Sequence, residues 1–140
     1  MDVAGSDLTP HQLYEILRLR AEVFVVEQHC PYLDLDGRDL DPETRHFWSE
    51  GFECSARVLR EGDVYRIGRV VTARPARGRG LAARLMTAAL AHIGDVDSVL
   101  DAQTYAQGFY AKFGYVPEGD EFDEDGIPHI TMWRRAARTG

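Results

Sequence analysis

The stretch Val70-Val71-Thr72-Ala73-Arg74-Pro75-Ala76-Arg77-Gly78-Arg79-Gly80-Leu81-Ala82-Ala83 constrains this chain more than any other. An apolar, β-like run stops at a basic, Gly-rich turn. Helical spacing starts at once, with Leu81, Leu85, Ala89 and Ile93 forming one stripe. A strand, a turn and a helix in direct succession demand a mixed α/β arrangement. The turn leaves several backbone N–H groups aimed outward, and a helix N-terminus adds about half a positive charge. Together these make an anion site suited to phosphates.

The rest of the chain supplies a sheet for that unit. Thr9-Pro10-His11-Gln12 reads as a helix start, with Thr9 as cap and Gln12 completing a capping box. Apolar residues at helical spacing carry it to Phe24, and Val23 to Val26 turn β-like. Residues 29–45 hold Cys30-Pro31, Asp36-Gly37 and Asp41-Pro42, so a long solvated loop is expected there. Asp34-Leu35-Asp36-Gly37 resembles a calcium loop only superficially, because its Gly comes too early. From His46 the pattern is β: Phe47-Trp48, then Cys54, Ala56 and Val58 alternating with polar neighbours, a turn at Glu61-Gly62-Asp63, and Tyr65 to Ala73. Gly94 closes the helix after Ile93, and Val96 to Ala102 is a strand. A short helix around Phe109 and Phe113 stops at Gly114. Tyr115-Val116 and Ile127 to Trp133 end the sheet, linked by the acidic segment Glu118 to Asp125.

The chain has 140 residues, 44% of them hydrophobic, which suits a single domain spanning 1–140 around one core. Its 16 basic and 23 acidic residues give a net charge of −7, which argues against a nucleic-acid partner. The arginines near the turn are therefore a local feature, pointing to a small anionic ligand. Cys30 and Cys54 have neither metal-type spacing nor the number for a disulfide framework, so two thiols in a reducing compartment and no metal are expected. No apolar run reaches the ~18 residues of a membrane span, and the N-terminus lacks a signal-peptide pattern. No membrane partner and a cytoplasmic location are expected.

Three phosphate sites compete for the turn. A Walker A loop needs Lys and then Ser or Thr after its second Gly, and Leu81 follows Gly80. Gly78-x-Gly80-x-x-Ala83 fits a dinucleotide fingerprint, with Asp101 about 20 residues on as a ribose ligand. Against it, Arg74-Pro75-Ala76-Arg77 separates the strand from the first Gly, and little chain remains to complete a doubly wound sheet. The third reading is Arg77-x-x-Gly80-x-Ala82. It resembles the coenzyme A pyrophosphate loop, Q/R-x-x-G-x-G/A, of the GNAT superfamily of N-acetyltransferases. Further on, Gln103-x-x-Ala106-x-x-Phe109-Tyr110-x-Lys112-x-Gly114-Tyr115 resembles that family's N-x-x-A-x-x-F/L-Y-x-K-x-G-F/Y segment, in the right order and spacing. Arg20 to Tyr32 with Asp34, Asp36-Gly37 and Asp39, and Phe122 to Ile130, look like the ElaA-type subgroup and extend the resemblance over nearly the whole chain.

The resemblance implies a GNAT fold: a mixed central sheet with a splayed strand pair and flanking helices. It implies transfer of an acetyl group from acetyl-CoA to a primary amine, on a small molecule or a peptide, by direct attack in a ternary complex. The pyrophosphate cradle would be the backbone of Gly78, Arg79, Gly80, Leu81, Ala82 and Ala83, with charge from Arg77 and Arg79. Val70, Val71 and Thr72 would offer the strand edge that pairs with the pantetheine arm and polarises the thioester. Gln103, in place of the family's Asn, and Ala106 would meet the cofactor. Tyr110 matches the general acid, against the plainer reading of a core aromatic. Ser98 stands where some relatives carry a base Glu, so Glu27 and His129, then His46, are the candidate bases. The acidic loops at 34–43 and 118–125 suit a cationic acceptor or simply a solvated face. The acceptor and the oligomeric state stay open, a homodimer included. Two rival functions also stay open: an acyl-CoA-binding module without turnover, and a dinucleotide-binding oxidoreductase.

Overall fold

A computed structural model describes residues 1–28 and 34–137. Cys30 and its neighbours at 29–33, with the turn expected there, lie outside the described residues. An eight-stranded sheet organises the described residues. Its strands are β1 (Asp2–Ala4), β2 (Arg45–Trp48), β3 (Cys54–Glu61), β4 (Val64–Thr72), β5 (Ser98–Gln103), β6 (Val116–Pro117), β7 (Phe122–Glu124) and β8 (Ile127–Arg134). They run in the order β1-β2-β3-β4-β5-β8-β6, and β7 pairs with β8. Every pairing is antiparallel except β4 with β5. A single parallel pair is not a doubly wound sheet, so the dinucleotide reading loses its fold.

Helix α2 (Leu81–Ile93) makes the crossover between those parallel strands, as a parallel connection requires. It buries Leu85, Met86, Ala89 and Ile93 in the main core, against Phe47, Ala56, Val58, Ile67, Leu100 and Met132. Helix α1 (Pro10–Arg20) starts where expected: Gln12 N–H donates to Thr9 Oγ1 at 3.1 Å and Thr9 N–H to Gln12 Oε1 at 3.0 Å. The β-like ending expected at Val23–Val26 does not form. The chain continues as a π-helical segment over Ala21–Glu27, with Gln28 N–H bonded to Val23 O at 2.9 Å. Leu19 and Val23 pack there on Val71, and that burial overrides the β-branched preference. Helix α3 (Gln107–Ala111) is short and leads to Gly114, whose φ of 92° turns the chain into β6.

The alternation along β3 has two buried faces rather than one. Cys54, Ala56 and Val58 join the α2 core, yet Ser55 and Arg57 are also buried. What buries Arg57 is the loop ahead of β2, where a solvated segment was expected. Arg57 pairs with Asp36 and Asp39, Arg20 with Asp39 (2.7 Å) and Asp34 (2.8 Å), and Arg69 with Asp34 (2.7 Å). Buried guanidinium groups need such partners, so this loop is held by charge. No helix among the described residues is long and apolar enough to cross a membrane.

Candidate active site

The parallel pair is joined only at its start. Tyr65 faces Ser98 and Arg66 faces Val99, and the pairing then stops although both strands continue. Beyond that point the strands part, and a cleft of about 550 Å³ opens between them. A bulge in β4 marks the same region: the register passes from Arg57↔Gly68 to Ser55↔Val71, so Ala56 faces both Arg69 and Val70. Ala73 N–H donates to Glu53 O at 2.8 Å. By antiparallel alternation the Thr72 N–H then turns away from β3, toward the open side.

Of the residues singled out from sequence, Val70, Val71, Thr72, Arg77, Gln103, Ala106, Tyr110, Glu27 and His129 all line this cleft. Gly78 to Ala83 lie outside its lining and form the turn into α2. Gly78 (φ 82°) and Gly80 (φ 75°) are left-handed, which explains Gly at both positions. A Cβ on either would meet no atom of the described residues within 4 Å, so the surface above them is open among those residues. No side chain caps α2, so its first N–H groups keep their capacity for an outside acceptor. Arg79 is exposed and lies 3.4 Å from Glu53.

Arg77 bridges the turn to the π-helical segment. Its Nε donates to Thr72 O at 3.1 Å, and its Nη1 lies 2.8 Å from Glu27 Oε2. Arg74 stands 3.6 Å from the same carboxylate. The Arg77 hydrogen bond, helped by Arg74, holds the Glu27 carboxyl below the usual range. A carboxylate so stabilised is a poor proton acceptor, and Glu27 stands here as the partner of Arg77.

His129 is better arranged for that task. Its Nδ1 lies 2.7 Å from the Ile127 carbonyl oxygen, which can only accept, so Nδ1 carries the hydrogen. Nε2 is then the basic nitrogen of the neutral ring, with Glu124 Oε2 at 3.7 Å. The residue is buried and its ring stacks on Phe122. That stack depends on the β7–β8 hairpin, which was expected as a linking segment only. Asp125-Gly126 is a hairpin turn signal, and both residues have positive φ (52° and 80°). It was the available clue to Glu124 at the cleft.

Tyr110 packs edge-on against Phe109 at 5.0 Å, between the main core and the cleft. Burial, reinforced by the Tyr105 and Tyr115 hydroxyls and Cys54, pushes its phenol far above the ordinary value. Tyr105 also lines the cleft and is 82% exposed. Gln103 Nε2 reaches Gln28 Oε1 at 3.4 Å, which ties β5 to the π-helical segment.

The remaining candidates lie elsewhere. His46 is absent from the cleft lining and 1% exposed, with Nε2 donating to Asp39 O at 2.8 Å. Ser98 is fully buried and shares a 2.8 Å hydrogen bond with the Tyr115 hydroxyl. Asp101 pairs with Arg66 and accepts from Thr131, on β8. Cys54 is buried beside Thr72, and burial raises its thiol pKa, so it is no ready nucleophile. Among the described residues no group of His, Cys, Asp or Glu is arranged to hold a metal ion. Sequence reasoning missed Arg57 and Arg69, which also line the cleft.

This arrangement has close counterparts. The model of the acetyltransferase (GNAT) domain matches residues 48–135. A UPF0039 protein of Mycobacterium tuberculosis is 53% identical over 140 residues, 94% of this chain and 90% of that protein. The ElaA protein of Escherichia coli K12 is 41% identical over 143 residues, 95% of this chain and 94% of its own length. The crystal structure of Escherichia coli ElaA superposes with a TM-score of 0.89 at 39% identity, covering 96% of this chain and 97% of that one. An acyl-CoA N-acyltransferase structure from Pseudomonas aeruginosa gives the same TM-score at 40% identity, with the same coverage. Splayed strands, a glycine turn into α2 and relatives matched along almost their whole length agree: the chain belongs to the GNAT acetyltransferase family, in its ElaA-type branch.

Proposed function

We propose that this protein transfers an acetyl group from acetyl-CoA to a primary amine by direct attack in a ternary complex. The observation that carries the reading is the end of β4–β5 pairing at Arg66↔Val99. It leaves a strand edge facing a cleft that also holds Tyr110 and His129. The description of the Pseudomonas aeruginosa structure as an acyl-CoA N-acyltransferase supports the same reading.

In this mechanism the turn at 78–83 and the N-terminus of α2 hold the pyrophosphate through backbone N–H groups. The outward Thr72 N–H, on the open edge of Val70–Thr72, holds the pantetheine arm and polarises the thioester carbonyl. His129 Nε2 takes a proton from the incoming ammonium, directly or through a water, and Glu124 steadies the charged imidazole. The amine nitrogen attacks the carbonyl carbon, the C–S bond breaks, and the second proton that the nitrogen sheds replaces, through solvent, the one that Tyr110 gives to the thiolate. The Tyr110 phenol, kept protonated by its burial, donates to the departing thiolate. Glu27 restrains Arg77 at the neck between turn and cleft. Glu124 and Asp125 at the cleft, with the acidic segment leading to them, favour a cationic acceptor.

An acetyl-CoA-dependent thiol-release assay over polyamines, amino acids, aminoglycosides and peptide N-termini tests this, beside calorimetric titration with coenzyme A. Tight coenzyme A binding with turnover of one amine class is expected. Coenzyme A binding without turnover of any amine would leave a binding module. NAD binding in its place would sink the reading.

A further inference from the structure

Arg69 combines three features that no residue role given above explains. It is a non-glycine residue in the left-handed region, at φ 52°. It sits in the β4 bulge, where the ladder with β3 passes from Gly68 to Val71. Its guanidinium reaches out of the sheet to the loop ahead of β2: Nε donates to Asp34 Oδ1 at 2.7 Å and Nη2 to the Asp34 carbonyl at 3.1 Å, with Asp36 at 3.6 Å. Asp34 is itself gripped from the other side by the buried Arg20, through Oδ2 at 2.8 Å and the carbonyl at 3.1 Å.

An L-residue leaves the left-handed region unless its surroundings hold it there. The two-point contact with Asp34 is such a restraint, and Arg20 anchors Asp34 to the end of α1. The bulge residue directly precedes Val70, the first residue of the strand edge assigned to the thioester. A change of backbone at Arg69 therefore re-aims the N–H groups that follow it.

We propose that Arg69 and Asp34 are positioning residues for acyl transfer: their ion pair holds the left-handed bulge that aims the Val70–Thr72 backbone at the thioester carbonyl. The loop ahead of β2 thus sets the geometry of the donor subsite. The inference rests on the acetyl-CoA reading above.

The test needs no acceptor. Isotope-edited infrared spectra of [1-13C]acetyl-CoA bound to the protein report how strongly the thioester carbonyl is polarised. In the wild-type protein the carbonyl stretch should lie below its value in water. Asp34→Asn and Arg69→Ala should lose at least half of that downshift, while coenzyme A affinity changes less than about threefold. Arg69→Gly should lose less than Arg69→Ala, because glycine adopts the left-handed backbone without a restraint. Asp34→Glu, which keeps the charge, should fall between Asp34→Asn and wild type. If Asp34→Asn does not fold, the Arg69 pair carries the comparison. An equal downshift in every variant that binds would overturn the clamp and leave the donor reading intact. So would Arg69→Gly behaving like Arg69→Ala. A wild-type protein that does not bind acetyl-CoA would overturn the donor reading, and the clamp with it.

Discussion

A phenol packed as Tyr110 is holds its proton in the resting protein. Desolvation penalises the phenolate, and the neighbouring Tyr105 and Tyr115 hydroxyls add to the penalty. The hydroxyl is therefore a hydrogen-bond donor throughout the neutral range, which is what a departing thiolate requires. Tyr110→Phe keeps the ring against Phe109 and Phe113 and removes only that donor. Turnover of the best amine should fall by about 10²-fold, with coenzyme A affinity changed less than about threefold. Steady-state kinetics beside calorimetry read both, and unchanged turnover would take the acid role from Tyr110. The place of Tyr110 at the cleft was legible because it lies inside a spaced local pattern. Glu27 and His129 were not separable in the same way. What distinguishes them is who touches them: Arg77, 50 residues away from Glu27, and a hairpin carbonyl for His129. Pairings over such distances leave no periodic trace.

At the scale of elements, local chemistry was readable where one segment supplies its own partners. The Thr9–Gln12 capping box and the Gly94 stop satisfy their backbone groups within a few residues, and the strand–turn–helix at 70–83 is marked by its own Pro and Gly residues. The π-helical segment 21–27 and the loop at 34–39 were misread because their stabilisation comes from elsewhere. Val23 is helical because Val71 packs on it, and Asp39 is buried because two arginines neutralise it. The turn carries a prediction of its own. Gly80 has a φ of 75°, and a Cβ there would point into open space. Substitution therefore meets backbone strain of about 1 kcal/mol and any ligand held above the turn. Gly80→Asp adds negative charge where pyrophosphate would sit. Coenzyme A affinity should fall by at least about 100-fold, while the thermal midpoint drops only a few degrees. Normal binding by this variant would refute the assignment of the turn.

For the molecule as a whole, one charge network ties α1, the 34–39 loop, β3 and β4 together. Arg20 and Arg57 meet on Asp39, and both guanidinium groups are almost fully buried. Asp39→Ala removes the shared carboxylate and leaves each arginine with one aspartate partner. A loss of about 3 kcal/mol is expected, read as a lower urea midpoint at unchanged slope. Burial works to raise the Asp39 pKa, but Arg20 and Arg57 outweigh it and the net direction is down. Asp36 is also lowered, chiefly by its hydrogen bond to Arg57. Carboxylates of this kind stabilise the fold above their unfolded pKa of about 4. That contribution is lost as pH falls further.

A second acid-sensitive limb should appear at higher pH, and it belongs to His46. Burial is the main cause of its lowered pKa, with Arg20 and Arg57 adding to it against the Asp39 carbonyl and carboxylate. In the unfolded chain the imidazole titrates near pH 6.5, so below that value the unfolded state binds a proton that the folded state resists. Stability then rises with pH across this window and is fully present above about pH 7. Among the described residues its Nδ1 has no hydrogen-bond partner, so protonation there would put an uncompensated donor and charge beside two buried guanidinium groups. His92 is exposed but packs edge-on against Phe47 and Tyr65, and partial desolvation with the nearby Arg45 lowers its pKa in the same direction. His46→Gln cannot titrate and keeps an N–H for the Asp39 carbonyl. Urea midpoints between pH 5 and 7 should fall with acid in the wild-type protein and fall less steeply in His46→Gln, the remaining slope belonging to His92. Identical slopes would show that His46 takes up its proton inside the folded core without penalty, and the charge balance around Asp39 would then have to be redrawn.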